Sequence, residues 1–330
     1  MSGIATAVAH PNIALAKYWG KLDVARNVPS VPSLSMTLDA MSTTTSVGFE
    51  PGLEDDRVVI NGSPASDEQA RRVTTMLDRV RAVAGIRTRA SVETANDFPT
   101  SSGLASSASG FAALAVAAAR AAGLAPSLAE LSDLARRSSA SAARSLFGGF
   151  AVLPAGAAGQ DFLAAEPLSD AADWDIAISV VMTTLKAKEI GSTSGMGHTA
   201  KTSPYYAAWI AHAPRLYDRA RAAVIGRDLE ALGTTAEESA FAMHACALAA
   251  APPLVYFSGV TMAAIERVRA LRKSGVPAYV TVDAGPHVKV LSTATDATRI
   301  AEALREVPGV ERVVVAKPGP AASIKTPRGT

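Results

Sequence analysis

Polar and apolar positions alternate over residues 35–49, a stretch rich in Thr, Ser and Val, and again over 89–94, which predicts strands in both places. Residues 66–83 repeat instead with helical spacing, and Asp67 and Glu68 fall in the first turn, where the helix dipole favours acids. An Ala-rich run over 105–122, with scattered Leu, Val and Phe, predicts a second helix whose small side chains allow close packing; 96–103 is the loop leading into it. A helix over 127–145, a turn at Gly148 and Gly149, a short strand over 150–153 and a β-rich run over 176–183 follow.

The second half opens with a polar, glycine-punctuated stretch over 186–202. Helical patterns then cover 205–224, 229–248 and 260–273. Residues 278–283 and 287–291 read as paired strands, and a helix over 295–306 with a strand over 311–316 completes the order. No internal repeat or low-complexity linker interrupts it. Strands joined by helices imply an α+β fold, with the boundary between lobes placed near residue 180.

Composition adds size and excludes some partners. The chain has 330 residues, 48% hydrophobic and 19% charged, enough for a large core and more than one core usually serves, so two lobes with a ligand-binding cleft are expected. A formal net charge of +2, with no block of Lys or Arg, points away from nucleic acid and membrane surfaces. Cys246 is the only cysteine, which excludes an internal disulfide or a cysteine-rich metal site, fits a reducing compartment and suits buried packing in the apolar run 244–251. The N-terminus lacks the pattern of a signal peptide, and the most apolar segment, 246–257, is broken by Pro252 and Pro253. No apolar run approaches the about 20 residues that span a bilayer, so the expected location is the cytoplasm.

Candidate chemistry sits in five segments. Residues 99–108 read Pro-Thr-Ser-Ser-Gly-Leu-Ala-Ser-Ser-Ala, a glycine-containing loop opening onto a helix, where free backbone N–H groups and the hydroxyls of Ser101, Ser102, Ser106 and Ser107 can cradle phosphate. It is no Walker A loop, and the same residues suit an ordinary Ser-capped helix equally well. Lys17 and Lys21 flank the aromatic pair Tyr18 and Trp19, as a cleft wall or as solvated charges. Ser141 and Arg144 lie three apart, on one helical face, and Arg144 among small residues can offer its planar fork to a carboxylate or cap the helix end. Lys188 lies in the polar stretch, and Asp283 closes a strand just before Gly285-Pro286, where turn chemistry alone accounts for an Asp.

Taken in order, these segments resemble one family over nearly the whole chain. The loop matches the Pro-x-x-x-Gly-Leu-x-Ser-Ser-Ala motif of the superfamily of galactokinase, homoserine kinase and mevalonate kinase. The string Lys-Tyr-Trp-Gly-Lys at 17–21, the run Ser-x-Ser-x-x-Arg-Ser-Leu-Phe-Gly-Gly at 139–149 and Asp-Ala-Gly-Pro at 283–286 resemble the mevalonate diphosphate decarboxylases within it. Four departures stand out: Pro11 lies one place later than the family's proline, Val31-Pro32 replaces a common Asn-Ser, Gly191 replaces the first Ser of Lys-x-x-Ser-Ser-x-x-Gly-Met, and His287 replaces Asn.

The resemblance implies a two-lobed small-molecule-kinase fold with a deep cleft, residues 1–180 carrying the nucleotide loop 99–108 and residues 181–330 carrying Asp283. It implies ATP-dependent decarboxylation of mevalonate 5-diphosphate, with Asp283 and Lys17 catalytic and Tyr18, Lys21, Ser139, Ser141, Arg144 and Ser192 on the substrate. Gly103, Ala105, Ser106, Ser107 and Lys188 would bind ATP, and Mg²⁺ would be held mainly through ATP phosphates rather than by a protein cage. A homodimer is the family's implied assembly. Decarboxylation of the 5-phosphate, or 3-phosphorylation alone, are the alternatives.

Overall fold

The computed structural model describes residues 3–98, 106–171, 174–184 and 190–325. Strands β1 (Ala5–Ala9), β2 (Asn12–Ala16), β3 (Lys21–Asp23), β4 (Val28–Pro29), β5 (Ser33–Thr37), β6 (Thr43–Phe49), β7 (Arg57–Ile60) and β8 (Ser63–Pro64) come first. Helix α1 (Asp67–Ala84), strand β9 (Ala90–Asn96), helices α2 (Ser106–Ala121) and α3 (Leu128–Ser138), a 3₁₀ helix over Ala140–Leu146, and strands β10 (Phe150–Leu153), β11 (Glu166–Ser169) and β12 (Ala177–Met182) follow. Helices α4 (Ser192–Thr202), α5 (Tyr206–Ile225), α6 (Leu229–Leu248) and α7 (Gly259–Lys273) precede β13 (Ala278–Val282), β14 (Val288–Ser292), α8 (Ala294–Arg305), β15 (Arg312–Ala316) and β16 (Ser323–Ile324).

Three sheets carry the architecture. The order β16-β1-β6-β9-β7-β8 forms a six-stranded sheet whose core is shared with α1, α2 and α3, and the alanines of α2 let that helix lie close on β1 and β6. The second sheet, β11-β10-β5-β2, packs on α5 and α6. The third, β13-β14-β12-β15, is covered by α7 and α8 on one face and by α6 on the other. Helix α6 therefore touches both β2 and β13, which bear the residues of the site.

Most expected elements are present, including helix α1, which a capping box at Ser66 opens, and the antiparallel pair β13 and β14. Cys246 is buried. Three segments differ. The strand expected over 35–49 is two strands in two sheets, because the chain crosses between layers at Asp39, whose Oδ1 accepts from the Lys317 amide at 2.7 Å, and Ser42, held to Asp97. Strands β1 to β4 arise where the alternation suggested nothing definite.

The helix expected over 127–145 breaks at Ser139, which is extended at φ −157° and ψ 116°, and resumes as a 3₁₀ turn. A run of serines, whose hydroxyls compete for local backbone groups, is a weak place for a continuous helix. The stretch 186–202 contains helix α4, despite two glycines that each cost roughly 1 kcal/mol of helix propensity. Burial of Met196 returns roughly 1.5–3 kcal/mol, and an added Cβ on Gly195 would collide with Tyr256 Oη and stand 3.1 Å from Trp19, so the glycine is what admits the helix there.

Candidate active site

Period-two alternation along β13 places Tyr279, Thr281 and then Asp283 on the face turned toward β2 and α6, and the register Thr281↔Lys289 puts Lys289 on that same face. From the other side comes Lys17, just past β2, its backbone N–H donating to Ser239 Oγ of α6 at 3.0 Å. Lys17 Nζ donates to Ala14 O at 2.8 Å and to Asp283 Oδ1 at 2.6 Å. Lys289 Nζ lies 3.1 Å from Asp283 Oδ2 and donates to His287 O at 3.4 Å. Both lysine side chains are 1% exposed, whereas the carboxylate keeps 26% of its surface, so Asp283 faces the open side and the ammonium groups stand behind it.

Burial alone would raise the Asp283 carboxyl, but the charges of Lys17 and Lys289 and their hydrogen bonds outweigh it and hold the group well below the usual carboxylate range. Burial lowers Lys17 to about 8 against the opposing pull of Asp283, which leaves it largely protonated at neutral pH. Buried ion pairs contribute little net stability, so such a cluster asks for a reason other than folding.

Arg144, on the 3₁₀ turn, is 1% exposed. Its guanidinium donates through Nε to Ser35 Oγ at 2.8 Å, Nη1 to Ser33 Oγ at 2.6 Å and Nη2 to Asn12 Oδ1 at 3.3 Å, all neutral oxygens. Burial lowers it to about 10, still charged at neutral pH, and the negative charge that opposes this most is that of Asp283. Three cations thus surround one carboxylate, an excess of positive charge suited to an anionic ligand.

The remaining expected substrate residues lie beside Arg144 at the start of the 3₁₀ turn (Ser139 and Ser141), next to Lys17 in sequence (Tyr18) and around the first turn of α4 (Lys21 and Ser192). Asn12 Nδ2 donates to Ser141 O at 2.9 Å, and the hydroxyls of Ser139 and Ser141 lie 3.2 Å apart. Tyr18 Oη is buried with no hydrogen-bond partner among the described residues, and burial pushes the phenol up, so it stays a donor. Gly20, at φ +118° and with Tyr206 Oη where a Cβ would sit, makes the turn that sends Lys21 on into β3. Lys21 Nζ donates to Asn27 Oδ1 at 2.5 Å and to Thr193 Oγ1 at 3.2 Å, beside Ser192 in the first turn of α4. Burial and then the charge of Arg72 lower Lys21 to about 8, and no described acid pairs with it.

Ser106 and Ser107 open α2, a 16-residue helix with no acid in its first turn, an N-terminus whose N–H groups and dipole suit phosphate. Gly103, Ala105 and Lys188 lie outside the described residues, as does most of the loop 99–108. Among the described residues no group of three or more His, Cys, Asp or Glu side chains could hold a metal ion.

The chain matches the family models of the diphosphomevalonate decarboxylase-like N-terminal domain over residues 9–164 and of the mevalonate 5-diphosphate decarboxylase C-terminal domain over residues 176–318. It belongs to the mevalonate diphosphate decarboxylase family. The phosphomevalonate decarboxylase of Haloferax volcanii is 35% identical over 318 residues, 96% of each chain. The crystal structure of mevalonate diphosphate decarboxylase from Staphylococcus aureus superposes with a TM-score of 0.92 at 35% identity, covering 98% of both chains. MDDEF in complex with MVAPP, AMPPCP and magnesium gives 0.92 at 37% identity, with 98% of both chains covered. The mixed α and β architecture expected from the sequence is that of these decarboxylases.

Within this family two of the chain's departures, His287 and Val31, have local explanations. His287 Nδ1 accepts from the Thr183 amide at 3.2 Å, a backbone anchor that an Asn oxygen could also provide. Val31 is fully buried with Trp19 and Met196 and brings no polar group to the substrate side. Sequence reading missed Asn12, Ser33, Ser35 and Lys289. Of these, Lys289 carried a signal: a lysine flanked by Val288 and Val290 in an apolar strand is rarely buried unless paired.

Proposed function

We propose that this chain uses ATP to decarboxylate mevalonate 5-diphosphate, forming isopentenyl diphosphate, ADP, phosphate and carbon dioxide through a 3-phosphorylated intermediate. The observation that carries this reading is the ionised Asp283 between Lys17 and Lys289, beside an Arg144 that has only neutral partners among the described residues. Asp283 orients the tertiary 3-hydroxyl and takes its proton as the oxygen gains its bond to phosphorus. A carboxylate held this acidic is a weak base, so the proton moves late, when the hydroxyl itself has become acidic. Lys17 steadies the charge that develops on the transferred group.

Arg144 holds the substrate carboxylate. When the phosphate on C3 departs, the electrons of the bond to the carboxyl carbon form the new double bond and carbon dioxide leaves. Tyr18, Lys21, Ser139, Ser141 and Ser192 hold the diphosphate end, and Ser106 and Ser107, with Gly103, Ala105 and Lys188 by family resemblance, hold ATP. Mg²⁺, carried by the ATP phosphates, neutralises charge there. The relative bound to AMPPCP and magnesium supports this assignment. A division into lobes near residue 180 is supported by β12, which joins the C-terminal sheet. No described helix is long and apolar enough to cross a membrane, and a cytoplasmic homodimer completes the reading.

The Haloferax volcanii relative makes the 5-phosphate the competing substrate. Steady-state rates with the two substrates at saturating ATP decide between them: a higher kcat/KM for the 5-diphosphate is expected, and a higher value for the 5-phosphate overturns the assignment. The nucleotide site is tested by Ser106→Ala. Losing a hydrogen bond to a charged phosphate costs roughly 1.5–3 kcal/mol, so the KM for ATP is expected to rise about ten- to a hundredfold with folding intact. An unchanged KM moves the phosphate site elsewhere.

A further inference from the structure

Asp283 carries two ammonium partners, and the reaction proposed above uses only one of them. Lys17 occupies Oδ1 at 2.6 Å and Lys289 approaches Oδ2 at 3.1 Å. The last torsion of an Asp side chain is broad and roughly two-fold, so a single partner leaves the carboxylate plane free to turn. A partner on each oxygen fixes that plane. Each oxygen then keeps one unused lone-pair direction, and the 26% of the side chain that remains exposed is where a hydroxyl can meet it.

Packing alone gives little reason for a lysine at position 289. It lies 1% exposed in β14, where every residue is buried, and its polar contacts among the described residues are Asp283 and the His287 carbonyl at 3.4 Å. Desolvating an ammonium costs several kcal/mol, and an apolar side chain of similar volume is often neutral or stabilising at such a position.

We propose that Lys289 is a positioning residue for the reaction: its ammonium, on Oδ2, fixes the plane of the Asp283 carboxylate and holds its charge while Lys17 serves the transferred group. The inference rests on the reading of Asp283 given above. The other charged or titratable groups facing this carboxylate are Lys17 beyond β2, Arg144 on the 3₁₀ turn and His244 on α6. Burial lowers His244 to about 4, and its Nε2 lies 3.2 Å from the Val282 carbonyl, so it is neutral where the enzyme works. Neither it nor Arg144 reaches Oδ2 by a hydrogen bond, and Lys17 is engaged on Oδ1.

The sign of the expected effect follows from the balance at Asp283. With Lys289 gone, burial is opposed mainly by Lys17, with Arg144 farther off, so the carboxyl becomes easier to protonate and the loss of its charge moves to higher pH. An opposite charge at this distance typically shifts a carboxyl by roughly one to three pH units. Lys289→Met keeps the length and removes the charge, Lys289→Gln keeps a donor without charge, and Lys289→Arg restores the charge. Because the parent carboxyl is held well below the usual carboxylate range, the Met and Gln variants should lose kcat/KM toward acid pH where the parent does not, and the Arg variant should regain it, with the KM for ATP unchanged.

Carbon-13 NMR titration of the Asp283 carboxyl, assigned by its loss in Asp283→Asn, should show the same upward move. It does so without turnover. If the parent fails to decarboxylate mevalonate 5-diphosphate, the proposed function falls, while the titration still judges the Lys289 pairing. A pH profile and an Asp283 titration both unmoved in folded Lys289→Met and Lys289→Gln proteins would overturn the inference and leave Lys289 as packing.

Discussion

Asp283→Asn is expected to form neither ADP nor carbon dioxide above background when given ATP, Mg²⁺ and mevalonate 5-diphosphate. The amide keeps the shape of the side chain but removes the charge that orients the 3-hydroxyl and receives its proton. A positioned acid or base is worth typically 10²–10⁴-fold, so turnover should fall at least to about one hundredth of the parent rate. Phosphoryl transfer is the first step, and everything after it should fail with it. The substitution also leaves Lys17 and Lys289 buried without their counter-ion, a change that in buried pairs costs roughly 3–5 kcal/mol. Thermal unfolding measured beside activity separates lost chemistry from lost fold. Substrate-dependent ADP release at close to the parent rate would make Asp283 a turn residue and require another base.

Arg144→Leu should act on the other half of the site. The guanidinium is buried and held by Ser33, Ser35 and Asn12, so its direction is set before substrate arrives. Removing one partner of a buried, hydrogen-bonded charge pair costs about 2–5 kcal/mol, which predicts a fall in kcat/KM for the substrate of roughly 30-fold to several thousandfold. ATP binding should hardly change, because the α2 N-terminus is a separate element. Arg144→Lys should recover little, since a point charge cannot reproduce three hydrogen bonds in a plane. A substrate kcat/KM within threefold of the parent would remove Arg144 from the carboxylate site.

Much of this was legible in the chain. Asp283 and Lys17 stood out because each lies in a distinctive string, and the structure places them 2.6 Å apart although 266 positions separate them in sequence. Helix α2 and the β13-β14 pair followed from local pattern. What was not legible depends on tertiary contact. Ser33 and Ser35 look like ordinary strand residues until β5 is laid beside the 3₁₀ turn, and α4 is invisible to propensity because packing of Gly195 and Met196 against Trp19 and Tyr256 holds it. The break at Ser139 is of the same kind. It replaces one helical face by a tighter turn in which residues three apart eclipse, so Ser141 and Arg144 keep a common side for a reason the helical reading did not contain.

The central claim is that phosphorylation by ATP and loss of carbon dioxide occur in one active site on one substrate. Following ADP and carbon dioxide together in a single incubation of the purified protein with ATP, Mg²⁺ and mevalonate 5-diphosphate tests this most directly. One carbon dioxide is expected for each ADP formed, from the first turnovers onward. ADP accumulating without carbon dioxide would contradict it, and would make the chain a kinase that stops at the 3-phosphate.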